Sequence, residues 1–71
     1  MTSDEQLTEY IEQGRSHVQL GRLLIERQKE IVERHRIEGR DTKPAEDLLA
    51  AFERSQQVFE RDLAWLEQMK R

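Results

Sequence analysis

Along the first half of the chain one line of positions recurs at alternating spacings of four and three: Leu7, Ile11, Gly14, Val18, Gly21, Ile25, Gln28, Val32 and His35. A second row, seven residues apart, runs beside it through Tyr10, His17, Leu24 and Ile31. The second half repeats the plan with Ala45, Leu49, Phe52, Gln56, Phe59, Leu63 and Leu66, flanked by Ala51, Val58 and Trp65. A period near 3.5 residues predicts helices packed at shallow angles, as in coiled coils and bundles. Few β-branched residues are present and no stretch alternates strictly, so no strand is predicted.

The punctuation divides the pattern into two helices. Ser3 followed by Gln6 has the form of a capping box, with Asp4 and Glu5 where the helix dipole favours negative charge. No proline interrupts the chain before Gly39, which suits the left-handed conformation that ends a helix. Asp41 or Thr42 then serves as the next N-cap, Pro44 falls in the first turn, and Lys70 and Arg71 sit at the negative end of the dipole. The prediction is a single all-α domain over residues 1–71. It is an antiparallel two-helix hairpin with a first helix at about 4–38, a turn at 39–42 and a second helix at about 43–69.

Folding that hairpin at its turn sets residues opposite each other when their numbers add to about 81, because both arms rise equally per residue. Gly21 then lies near Phe59, Gly14 near Leu66 and Gln28 near Phe52. A glycine inside a helix costs roughly 1 kcal/mol relative to alanine, so two of them on the core line call for a compensating gain. Notches that admit Phe59 and Leu66 would supply it, in preference to a mere weakening of the first helix.

The apolar arc is wider than one neighbour needs, since each helix carries a third apolar column and Leu20 and Met69 widen it further. Tyr10, His17, Leu20, Leu24, Ile31, Ala51, Val58, Trp65 and Met69 are therefore expected at an interface. The simplest is a two-fold homodimer of hairpins forming a four-helix bundle. Length points the same way. A chain of 71 residues without cysteine has no disulfides to supplement a small core, and with only two histidines it has no obvious zinc site. Trp65, Met69 and Val58 would equally suit a different protein partner, although closure of a homodimer is the simpler use of them.

Charge and composition narrow the function classes. Twelve Lys and Arg stand against fifteen Asp and Glu, a net of −3, so the chain lacks the global positive field of a non-specific nucleic-acid or anionic-membrane binder. No apolar run approaches the roughly 20 residues that span a bilayer. The polar, acidic start from Met1 to Gln6 is unlike a targeting segment, and a cytoplasmic protein is expected. Positive charge gathers near the turn at Lys29, Arg34, Arg36, Arg40 and Lys43, beside His35. This is the one candidate nucleic-acid site. Glu30, Glu33, Glu38 and Asp41 are interleaved with it, and Lys29–Glu33 and Glu30–Arg34 have ion-pair spacing, which favours a solvated, salt-bridged face.

No catalytic or cofactor apparatus is expected. His17 and His35 are about 27 Å apart along one helix, too far to share a metal ion within the chain. Neither has a glutamate three positions before it and the second helix has no histidine, which removes the di-iron bundle pattern. There is no glycine-rich phosphate loop, and Ser3, Ser16 and Ser55 lack a credible base nearby to form a nucleophile–base–orienter set.

The stretch from Gln28 to Gln56, through Ile31, Gly39-Arg40-Asp41-Thr42, Ala45, Leu48-Leu49 and Phe52, resembles a pattern in short helical-hairpin proteins of bacteria, chiefly alphaproteobacteria. That resemblance covers under half of the chain. It implies a bacterial helical hairpin and brings no activity, cofactor or site with it.

Overall fold

Gly39 reverses the chain. Its φ of +73° lies in the left-handed region that glycine enters without a Cβ penalty. The Arg40 N–H donates to the His35 carbonyl at 2.8 Å and the Gly39 N–H to that of Arg36 at 3.2 Å. These two bonds satisfy carbonyls that the helix end leaves without partners, in the Schellman arrangement. The computed structural model describes residues 3–70, apart from the side chain of Ser3, as two helices, α1 (Ser3–Ile37) and α2 (Lys43–Met69). The capping box expected at the Ser3 hydroxyl, and the place of Arg71, lie outside the described residues. No strand occurs among those described.

At the start of α2 the capping work falls to Asp41, whose Oδ1 accepts the Lys43 N–H at 3.0 Å. Thr42 makes no side-chain cap and instead donates its hydroxyl to the Glu46 carboxylate at 3.0 Å. Pro44 occupies the first turn, where its missing N–H costs nothing.

The helices pack along their full shared length, and both core glycines are notches. A Cβ on Gly14 would stand 3.2 Å from Leu63 Cδ1, and one on Gly21 would overlap the side-chain oxygen of Gln56, with its amide carbon at 2.8 Å. The occupants differ from those expected: Leu63 replaces Leu66, and Gln56 replaces Phe59. Each lies one turn nearer the hairpin turn. The reason is geometric. Each helix brings two rows to the seam, and reversing one helix sets each row against the other row of its neighbour. Matching residues by axial height alone chose the wrong row. Phe59 is left at the edge of the seam, 38% exposed, with its ring edge-on to His17 at a centroid distance of 4.1 Å.

Two buried glutamines tie the seam together. Gln56, in the Gly21 notch, donates from Nε2 to the carbonyl of Val18 at 2.8 Å. Gln28, from the opposite helix, donates from Nε2 to the carbonyl of Ala45 at 3.0 Å. Among the described residues only Ile11, Val18 and Ala45 are buried apolar residues around them, and no large side chain is fully enclosed. The molecule is elongated, 55 × 16 × 14 Å, with a radius of gyration of 16.4 Å. A compact chain of this length would have about 11 Å. Its accessible surface is 5747 Å², against about 4,700 Å² for a compact monomer of 8.5 kDa.

Gly21→Leu is expected to cost roughly 1–3 kcal/mol by overpacking the seam. In urea unfolding, Gln56→Ala in the same chain should recover part of that loss, whereas Phe59→Ala should recover none. Equal recovery by the two would contradict the assignment of the notch to Gln56.

Candidate functional site: an open apolar flank

The two long edges of the hairpin are chemically opposite. Along one edge α1 presents Arg15, Arg22, Lys29 and Arg36 at intervals of seven, and α2 presents Glu46, Glu53, Glu60 and Glu67 at the same interval. Arg15 bonds the Glu67 carboxylate through Nη2 at 2.7 Å and through Nε at 3.2 Å, and Arg22 Nη2 meets Glu60 Oε1 at 3.2 Å. Further towards the free end Lys70 Nζ donates to the Thr8 hydroxyl at 2.9 Å. This edge is laced by the chain's own charges. It was legible in the sequence as two rows of opposite sign, a signal that attention to the apolar rows passes over.

The other edge is open and apolar. A groove between the helices is lined there by His17, Leu20, Leu24, Phe52, Ser55 and Phe59, and continues towards the free end past Tyr10, Gln13 and Leu66. Most of the residues expected at an interface stand exposed on this side: Tyr10 at 59%, Leu20 at 52%, Trp65 at 60% and Met69 at 53%, with His17, Leu24 and Val58 also exposed. Ile31 and Ala51 are half-buried within the single chain. Leu48, 46% exposed, belongs with this surface. Sequence periodicity missed it because it stands one column over from Ala51, Val58 and Trp65.

The basic residues near the turn are mostly engaged by neighbouring carboxylates. Lys29 meets Glu26 at 3.4 Å and Arg40 meets Glu38 at 3.7 Å. Arg36 forks onto both oxygens of Glu33, and Lys43 reaches Asp47. Lys29 and Arg36 thus pair three residues back, with Glu26 and Glu33, not in the Lys29–Glu33 spacing expected. The Arg36 hydrogen bond holds the Glu33 carboxyl below its ordinary value, and that of Asp47 raises the Lys43 ammonium above its own. With its folded value depressed, Glu33 contributes stability at neutral pH that is lost as pH falls through the carboxylate range. Among the described residues Arg34 makes no ion pair within the chain.

His17 and His35 are not brought together, and among the described residues no three metal-ligating side chains cluster. The Nδ1 of half-buried His35 is enclosed without a hydrogen-bond partner. No described helix is long and apolar enough to cross a membrane. In comparisons with known proteins, no family model, curated protein or solved structure matches this chain.

The Arg22–Glu60 pair is exposed, at 65% and 45% for the two side chains, so its coupling should be only about 0.2–1 kcal/mol. A double-mutant cycle with Arg22→Ala and Glu60→Ala should give that value at low ionic strength and a value near zero in about 1 M salt. A salt-independent coupling would show that this edge is held by something other than exposed charge.

Proposed function

We propose that this chain is a non-enzymatic interaction protein that works as a homodimer, two hairpins joining through the open apolar flank into a four-helix bundle. The observation that carries the reading is the surplus surface. The hairpin exposes on the order of 1,000 Å² more than a compact monomer of its mass, and about 800 Å² per partner makes a standard stable interface. Eight of the ten large apolar side chains left exposed among the described residues belong to this flank, while Leu23 and Ile37 stand on the face of α1 turned away from α2, and the opposite edge pairs Arg15 and Arg22 with Glu67 and Glu60. An apolar patch bounded in this way marks an association surface. The reading places the chain with the short bacterial helical hairpins it resembles, acting in the cytoplasm through helix–helix contact, with neither cofactor nor metal.

Sedimentation equilibrium at micromolar concentration is expected to return the mass of a dimer, and Val58→Glu or Trp65→Glu to return that of a monomer with a lower melting temperature. A parent chain that stays monomeric and fully folded in the same range would sink the proposal.

Nucleic-acid binding through Lys29, Arg34, Arg36, Arg40 and Lys43 competes poorly with this reading, because four of the five already meet carboxylates. Titration with RNA and DNA at low salt should show no binding. An affinity that falls steeply with added salt would reverse that conclusion.

A further inference from the structure

We infer that the two hairpins pair head to tail, with their turns at opposite ends of the bundle and Val58 of each copy on the two-fold axis. The inference rests on the homodimer reading and adds its geometry. It comes from two columns on the open side of α2. One column holds Ala51, Val58 and Trp65, small to large along the helix. The other holds Leu48, Ser55, Asp62 and Met69, apolar at both ends and polar in the middle. Six of these seven are exposed in the single chain, and Ala51 is half-buried.

A two-fold axis perpendicular to the helices lays α2 antiparallel on the second copy's α2. Centred on Val58, it sets Trp65 over the second copy's Ala51, so that the largest side chain of the column meets the smallest. The same axis passes midway between Ser55 and Asp62 in the neighbouring column. There Leu48 meets Met69, and the Ser55 hydroxyl can donate to the Asp62 carboxylate. Arg54, one residue further round, brings a positive charge to the same carboxylate. Among the described residues neither Asp62 nor Arg54 makes an ion pair within its own chain. One centre thus matches size in one column and polarity in the other.

The α1 side agrees. Gln56 fills the Gly21 notch and Glu60 meets Arg22, which puts Val58 at the height of Leu20 to Leu24. An axis at that height stacks Leu20 on its own copy and sets His17 against Leu24 and Tyr10 against Ile31. With the turns at one end instead, α2 would lie on the second copy's α1 at matching heights. That arrangement also brings apolar residues together, Val58 with Leu20 and Met69 with Tyr10, but it sets Trp65 against Gln13 and parts Ser55 from Asp62.

The test is intermolecular distance by pulsed electron resonance on nitroxide-labelled chains. The parent has no cysteine, so single labels can be placed freely. Gln57→Cys lies beside the proposed axis, and Arg40→Cys lies in the turn. In the head-to-tail dimer the Gln57→Cys labels should be within about 30 Å, the width of two hairpins side by side. The Arg40→Cys labels should be roughly 50 Å apart, from the helical rise between Val58 and the turn taken twice. Short distances at both positions would overturn the head-to-tail arrangement and leave the dimer standing. No dipolar signal at either position would overturn the dimer itself. Exchanging the pair, Ala51→Trp with Trp65→Ala, should restore the dimer that Ala51→Trp alone disrupts, and failure of the exchange would count against the Val58 centre.

Discussion

Everything in this hairpin hangs from the contact between Gln56 and the backbone of α1. The amide reaches the Val18 carbonyl only because position 21, one turn further along the same face, carries no Cβ. Gln28 makes the reciprocal contact from α1 to the Ala45 carbonyl, so the two helices are tied at two heights by bonds running in opposite directions. Buried polar groups of this kind add little net stability while they are satisfied, and each costs about 1–3 kcal/mol when it is left unpaired. Sliding one helix past the other by a turn would carry Gln56 off Gly21 and onto Val18 or Ile25, where a side chain fills its place. The seam therefore has one register, chosen less by its apolar residues than by its two glutamines.

The chemistry of the two edges follows from that register. It sets Arg15 and Arg22 level with Glu67 and Glu60, and the remaining members of those rows come into line by the same repeat. Being exposed, these pairs contribute little each, and they line that edge with charge along Arg15, Arg22, Glu60 and Glu67. The opposite edge inherits the aromatic and aliphatic columns that the seam has no room for. Phe59 shows this most plainly, displaced from the core by Gln56 and left against His17 at the groove.

A seam this thin explains why the rest of the apolar surface matters. Among the described residues three small or medium side chains and two glutamines form the buried set, which is little for a hairpin of this length. Chains of this size without disulfides or metal hold together through good helix packing or through association. Packing is good here but narrow, since two helices touch along one line only. A second pair of helices on the open side would convert that line into a centre with four walls.

The helices, the turn at Gly39 and the role of Gly14 and Gly21 as notches were legible from the sequence, because each depends on residues close together or on a repeat of seven. The left-handed residue, the N-cap region and the proline are local, and the chain cannot hide them. The opposed rows of Arg and Glu were equally open to view, needing only the same count applied to charge. What only the tertiary structure decided was which side chain enters which notch. Helical rise alone makes Phe59 as near to Gly21 as Gln56 is. The choice between them depends on the rotation of each helix about its axis, and that rotation is set by two long-range amide bonds joining residues 38 and 17 positions apart.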